Sequence, residues 1–565
     1  MKLREALATL LFLSAWAGAA GPEPGSEFVS VYAGPEGIAA SDDYAVAVVQ
    51  GETRQTSFTY KNRCDDPADE RINREFMQGI EDTPALKKFY FGDSQSEAAG
   101  ATASAPAASG NEAGPVRQRS VSWTTFSFQG TATVQVRSLK GAIETAKILP
   151  SSRGIEGRVV KGELTFTLAE PTKLAIIVNG NYIDPLFLFA DGPELSSPDS
   201  KTGGVVAFRA GDDYQGRLDE VGRARVVYFQ PGVHDIGVAF PVSSNQTIYL
   251  AGGAYVRGTF QGVMANNVTF RGRGIISGEL IPRSIKNQTR GVMNQFKLHA
   301  ISMLNEENRQ GAWNPHCRQI GQGCDNLLVE GITIVDPGHF FLRLAGVPIT
   351  VHNVKMIGGW HYNSDGVSAI GAAHTTVFDC FFQCNDDAIY ISPSFVHVHH
   401  CVFWQNDNGA VFQFSWGGDA YPQGGGYIHD CDIIHEGTTR EANNRAIIGS
   451  RKSGPGDIRN ILFKNIRIEG AVWRIFRLNT YGGRGELGSI YDITFENITV
   501  NGPVIHKSEI MAGVGAAQGQ LGADSWVRDI TFKNVSINGR PLTKDDFILG
   551  LQNVKNIEIR NGQDD

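Results

Sequence analysis

Two patterns of apolar and polar positions divide the chain. In the first, residues alternate: Ser122–Val136 reads SWTTFSFQGTATVQV and Leu164–Val178 reads LTFTLAEPTKLAIIV. A period of two places one face in a core and one in water. These stretches therefore predict half-buried antiparallel strands joined by turns, and an N-terminal β-sandwich over residues 20–205. Within it, residues 95–114 are rich in Ala, Ser and Gly and predict a surface loop or linker. Beyond about residue 220 the pattern changes to short apolar runs that repeat. ILFKNIRIEG begins at Ile461, ITFENITVNG at Ile493 and ITFKNVSING at Ile530, with weaker echoes at Val268 and Leu328. Each unit holds two short strand-forming runs around a polar or Gly kink. With no helical pattern between them, they predict a solenoid of stacked coils, a parallel β-helix over residues 206–565. The fold class is all-β.

The repeat has its clearest register in the middle. Val377–Ile391 aligns with Val398–Phe412 at an offset of 21 residues, placing Cys380 on Cys401, Asn385 on Asn406 and Asp386 on Asp407. Equivalent positions in adjacent coils stack at about 4.8 Å. Stacked cysteines in such a coil are packing residues, although the distance also suits a disulfide. The same offset carries Asp365 of Asn363-Ser364-Asp365-Gly366 onto Asp386 of Asn385-Asp386-Asp387.

Taken singly, Asn-Ser-Asp-Gly is an ordinary turn and Asp-Asp a solvated bend. Registration turns them into a cluster of three carboxylates, Asp365, Asp386 and Asp387. Like charges at that spacing repel, so one carboxyl stays protonated near neutral pH. Glycoside hydrolysis needs that combination: a protonated carboxyl for the leaving oxygen and an ionised one to activate water or attack carbon. Asp386 and Asp387 both reach one cleft only if the chain bends between them, since neighbours on a straight strand face opposite ways.

Several stretches carry a resemblance. Tyr228–Val233 (YFQPGV), Ser244–Gly258 (SNQTIYLAGGAYVRG), Gly272–Glu279 (GRGIISGE), Gly358–Gly366 (GGWHYNSDG), Asn385–Ile389 (NDDAI) and Ala446–Gly449 (AIIG) make the chain resemble glycoside hydrolase family 49. This is the dextranase and isopullulanase family, related to the polygalacturonases. The resemblance covers roughly residues 120–550. It implies an N-terminal β-sandwich, a right-handed parallel β-helix and inversion at the anomeric carbon. By motif match it implies Asp386 as general acid, with Asp365 and Asp387 holding and deprotonating the attacking water. A polygalacturonase would carry Gly-His-Gly one coil further on; here Asp407-Asn408-Gly409 stands there. The missing histidine favours family 49 over a pectin enzyme.

Composition and charge narrow the setting. Gly is abundant, at 66 of 565 residues, as a turn-rich β protein requires. Lys2 and Arg4, the apolar run Ala6–Trp16 and Ala17-Gly18-Ala19 read as a signal peptide over residues 1–19, and so as a secreted or periplasmic protein. That run is too short for a membrane span. Removing Lys2, Arg4 and Glu5 with the leader takes the formal charge from −8 to −9, which argues against nucleic acid as partner. Of seven cysteines, Cys317 and Cys324 are placed to pair in an oxidising compartment. The absence of CxxC pairs argues against a metal site, and no cofactor is expected. The expected partner is a polysaccharide, met by a monomer.

Substrate contacts are drawn from the neighbourhood of the acids. Trp360, Tyr362, Trp404, Trp416 and Tyr421 are candidate platforms for sugar faces, Trp416 and Tyr421 foremost because they sit in a Gly-rich stretch; core packing is the alternative for at least half. Asn385, Asn408, Arg451 and Lys452 complete the candidate binding set. A basic series, Arg440, Arg445, Arg451, Lys452, Arg474, Arg477 and Arg484, suits carboxylate or sulfate groups, or else neutralises the acids or makes surface pairs.

Two substrate readings follow: endo-hydrolysis of an α-glucan such as dextran, or hydrolysis of an anionic or other polymer on the same machinery. A Ca²⁺-dependent lyase using the aspartates as ligands and a non-catalytic carbohydrate-binding fibre are the competing classes.

Overall fold

The computed structural model describes residues 22, 26–64, 67–95, 118–281, 298–310, 320–369, 374–391, 395–414, 425–441, 444–482, 487–515 and 525–562. The expected leader, most of the 95–114 stretch, Cys317, Trp416, Tyr421 and Arg484 lie outside them.

The N-terminal strands form two sheets. One joins Phe28–Val31, Thr59–Arg63, Ser120–Gln129, Leu186–Asp191, Thr172–Val178 and Ala146–Leu149; the other joins Thr53–Ser57, Tyr44–Gln50, Ala132–Ser138, Glu163–Leu168 and Arg158–Val160. Val46, Val48, Phe126, Phe128, Val134, Leu164, Phe166, Leu174, Ile176 and Leu188 pack between them. Two expectations need correction. Strands consecutive in sequence, such as Glu163–Leu168 and Thr172–Val178, belong to different sheets and do not pair with each other. Thr172–Val178 is also buried along its whole length, not half-buried. The reason is a second interface. Trp123, Ala175, Ile177, Phe187 and Phe189, on the far side of the first sheet, pack against Ile275, Val335, Ile357, Phe381, Val402 and Trp404 of the C-terminal domain.

Among the described residues, that domain is a parallel β-helix of 31 strands, beginning at Val205–Phe208, whose coil-to-coil pairings form three sheets. Successive coils run in parallel register: Val377 pairs with Val398 and Phe381 with Val402, at the expected 21-residue step. The three sequence repeats are three consecutive coils, with Ile461 on Ile493 on Ile530. Stacking is literal inside the coils. Phe463, Phe495 and Phe532 form a ladder with ring centroids 5.1 Å apart at each step. Beside it Asn465, Asn497 and Asn534 link amide to carbonyl at 3.0 and 3.3 Å. All three asparagines have φ near +54°, a left-handed turn that Asn tolerates better than other residues with a side chain. Cys380, Cys401 and Cys431 are buried free thiols, so the cysteine column packs without a disulfide; Cys324 is buried, and its Sγ donates to the Leu304 carbonyl at 3.3 Å.

Between the strands Thr59–Arg63 and Ser120–Gln129 the chain forms two helices, α1 (Pro67–Asp82) and α2 (Pro84–Gln95), that were not expected from sequence. Ile72, Phe76 and Ile80 recur every four residues and are buried, as on one helical face. Phe76, Ile80, Leu86 and Tyr90 pack on Ala471 and Trp473 of the β-helix.

At the seam between domains, Phe381 lies 4.7 Å from Phe187 and 5.0 Å from Phe189, centroid to centroid. Phe381→Ala is expected to cost about 3–5 kcal/mol of unfolding free energy. Because the cavity opens at the seam, denaturant unfolding followed separately in each domain should lose its coincidence. Coincident transitions with a loss below about 1 kcal/mol would show that the seam contributes little.

Candidate active site

Asp386 and Asp387 lie where the chain passes from the sheet that holds Phe381–Cys384, the second, to the one that holds Ile389–Ile391, the third, and Asp365 lies at the same corner one coil earlier, between Lys355–Ile357 and Val367–Ser368. Residues 385–388 are not in strand, which supplies the bend that lets Asp386 and Asp387 serve one site. The Asp387 N–H donates to Asp386 Oδ1 at 3.0 Å and holds that bend. The third sheet steps by 22 residues here, not 21: Val367 pairs with Ile389, and the Gly366 N–H donates to the Asp387 carbonyl at 3.1 Å. Asp365 is thus in line with Asp387. Asp386 is met by Asn363, whose N–H donates to its Oδ2 at 3.0 Å. Gly409, at φ +73°, closes the next coil over this bend; a Cβ there would fall 2.6 Å from the backbone of Asp386 and Asp387.

All three carboxyls are withdrawn from water, but unequally. Asp365 and Asp387 are 1% exposed and Asp386 8%, so Asp386 is the one that reaches the surface of the site. Burial, and then the charges of Asp386 and Asp387, push the Asp365 carboxyl well above the usual carboxylate range. Burial also raises Asp386, against hydrogen bonds from Asn363, Asp387 and Asn408 and the positive charge of Arg445. A cluster so placed does not carry three negative charges at once.

Around the acids the structure brings in groups that the motifs did not mark. The Ala410 N–H donates to Asp387 Oδ1 at 2.9 Å and Asn444 Nδ2 at 3.3 Å. Tyr390 hydrogen-bonds the carboxylates of Asp365 and Asp387. Asn408, a candidate binding residue, instead donates from Nδ2 to Asp386 Oδ2 at 2.7 Å. Asn385 is fully buried, and its Oδ1 accepts from the Asp407 N–H at 2.8 Å, so it spaces the coils and does not face a ligand. On the next coil Asp407 is fully buried beside Arg440 and Arg445, 3.8 and 3.6 Å away.

The helical hairpin forms one flank. Tyr362 is half-buried; its hydroxyl donates to Glu75 of α1 at 3.3 Å and accepts from Arg440, which also pairs with Glu75. Glu75 lies 287 residues before Tyr362, and no motif marks it. Trp360 and Trp404 are buried in the seam, with Trp404 stacked on His435 at 4.1 Å, and offer no ring face to a sugar. Two members of the basic series follow the ion-pair alternative. Arg474 and Arg477 each pair with both Glu441 and Glu509. Lys452 is buried, and its Nζ donates to the Gly454 carbonyl at 2.6 Å. Arg451 is half-buried, five residues along its strand from Ala446, the position level with the acids. At about 3.3 Å per residue it stands roughly 16 Å down the sheet.

No family model matches the chain. It is 27% identical over 209 residues to a dextranase of Arthrobacter globiformis, a stretch that covers 34% of this chain and 30% of that one. Its match to isopullulanase of Aspergillus niger is 23% identical over 427 residues, covering 67% and 70%. The chain thus spans less than a third of the bacterial dextranase it matches, and more than two thirds of the isopullulanase. Among solved structures, Dex49A from Penicillium minioluteum shares the fold, with a TM-score of 0.66 over 94% of this chain and 96% of that one, at 17% identity. The relatedness to the dextranase and isopullulanase group read from the motifs is borne out.

The buried acids have a cost that depends on pH. Since the folded state raises the proton affinity of Asp365, it binds more protons than the unfolded chain. This group's contribution to stability therefore falls as pH rises above about 4, the unfolded value. Asp365→Asn is expected to gain on wild type in urea midpoint as pH is raised from 4 to 8. A difference that is constant across that range would mean that Asp365 carries no such strain.

Proposed function

We propose that the protein is a glycoside hydrolase that cleaves an α-glucan internally and with inversion. The observation that carries this reading is the aspartate cluster itself: three carboxyls gathered by one coil step, with only Asp386 reaching the surface. In this reading Asp386, raised by burial, protonates the glycosidic oxygen as the bond to the anomeric carbon breaks. Asp365 and Asp387, in line behind it, hold a water molecule, and the ionised member of the pair takes its proton as the oxygen attacks from the opposite face. Tyr390, Asn444 and the Ala410 N–H keep that pair in place. The kinship with dextranases and isopullulanase supports an α-glucan as the polymer.

A neutral polymer is also favoured by the cations. Arg440, Arg445, Arg474 and Arg477 each have acidic partners of their own, so an anionic chain would have to displace carboxylates to reach them. Export is part of the same proposal, on the strength of the charged, apolar and small-residue order of residues 1–19. It is checked by N-terminal sequencing of the protein recovered outside the cytoplasm.

Reducing-end release from a panel of neutral and anionic polysaccharides, with NMR of the first-formed products, tests the reading. Dextran or another α-glucan is expected to be cut to oligosaccharides whose new anomeric centre is of β configuration. Asp386→Asn is expected to lower kcat by about 10²–10⁴-fold, the usual contribution of a general acid, while leaving the circular dichroism unchanged. Activity on uronic or sulfated polymers alone, unsaturated products, or an undiminished Asp386→Asn variant would each overturn it.

A further inference from the structure

Asn408 occupies the position one coil beyond the aspartate pair, and its carboxamide has two chemically unlike ends. Nδ2 can only donate and Oδ1 can only accept. Its Nδ2 donates to Asp386 Oδ2 at 2.7 Å, and its Oδ1 accepts from Arg445 Nη2 at 3.3 Å. A guanidinium has no acceptor, so Arg445 dictates which end of the amide faces the acid. The reverse orientation would set an amide oxygen against the carboxyl and an amide NH₂ against the guanidinium. Arg445 is itself held: its side chain is 3% exposed, Nη1 donates to the Arg440 carbonyl at 2.9 Å, and Asp407 lies 3.6 Å away. Asp407 in turn accepts from the N–H and hydroxyl of Thr439, at 3.2 and 3.1 Å.

The orientation matters for where the acid's proton goes. Asp386 receives N–H groups on both oxygens, from Asn363 and Asn408 on Oδ2 and from Asp387 on Oδ1. None of these can accept a proton in return. We propose that Arg445 is a positioning residue for proton delivery: by fixing Asn408 with its NH₂ toward Asp386, it denies the acidic proton an internal acceptor and leaves it directed at the leaving oxygen. With the amide reversed, Oδ1 would take the O–H as a hydrogen bond and hold it back from the substrate. The assignment rests on the proposed role of Asp386. Among the described residues, the charged and titratable groups facing Asp386 are Asp365, Asp387, Arg445, Cys384 and, next to the other acids, Tyr390; those facing Asp407 are Arg119, Arg440, Arg445, Tyr90 and Tyr362.

The test compares wild type with Arg445→Met, Arg445→Lys and Asn408→Asp on the α-glucan that wild type cleaves, with kcat and KM followed across pH. Arg445→Met is expected to lose at least about tenfold in kcat, a fraction of a general acid's usual share, with KM changed less than about threefold. Its alkaline limb, which reports the protonated acid, should move to higher pH because a cation that opposes protonation is gone. Arg445→Lys keeps the charge and likewise offers no acceptor to the amide, so it should keep the limb and retain more of the rate than Arg445→Met. Asn408→Asp, which puts an acceptor where the donor was, should lose the rate even with Arg445 in place. A rise in KM at unchanged kcat, or an unmoved limb in Arg445→Met, overturns the assignment. If wild type cuts no glucan, the functional reading fails separately, and the coupling is then read from unfolding. Arg445→Met should lose more stability at pH 7.5 than at pH 4, because the carboxyls facing the cation, raised by burial, give up their protons as pH rises. An equal loss at both overturns it.

Discussion

Everything in the C-terminal domain depends on backbone hydrogen bonding between coils in parallel register. That ladder brings equivalent residues of successive coils to within about 5 Å regardless of their chemistry. Where the residues are phenylalanines, the result is a ring ladder that fills the interior, as at Phe463, Phe495 and Phe532. Where they are asparagines, the side chains hydrogen-bond along the axis. Where they are aspartates, the same geometry forces together groups that would separate in any open structure. The carboxyls are thus held together by the stacked coils, and the raised proton affinities of Asp365 and Asp386 follow from burial that their own coils impose.

The charges around the site are nearly self-contained. Arg445 answers Asp407, Arg440 answers Asp407 and Glu75, and Arg474 and Arg477 share Glu441 and Glu509. A set of guanidinium groups that looks in sequence like a binding surface for anions is in structure a lattice that fixes loops and backbone. The distinction matters because an arginine already paired loses that pairing when it binds a substrate, and so discriminates against rather than for a charged polymer.

What the sequence disclosed and what it hid have a common physical origin. Registration within the solenoid was legible because one residue type repeats at each stacked position: Ile461, Ile493 and Ile530, or Cys380 and Cys401. It was legible only to within a residue, since the third sheet gains one step between Val367 and Ile389, and that step decides which aspartate Asp365 faces. Contacts across the seam left no periodic trace. Trp360 reads as a surface aromatic because it neighbours the acids, yet the sandwich covers it. Thr172–Val178 is apolar on alternate positions for one core and apolar between them for another, which a single-face reading does not separate. The helix carrying Glu75 did have a trace, the four-residue spacing of Ile72, Phe76 and Ile80, but nothing local says that it ends at an active site.

The placement of Glu75 bears on which parts of the molecule are free to change in length. The strands beside the aspartates are locked in register, and length varies only in the turns between them, as the unequal steps from Ile461 to Ile493 to Ile530 show. The hairpin of α1 and α2 is exempt, since it emerges from a sandwich edge and merely leans on Tyr362, Arg440 and Trp473. Its length and surface can change without disturbing any stacked strand. The sandwich thus does more than brace the solenoid: it carries a margin of the aspartate site that is exempt from the solenoid's register.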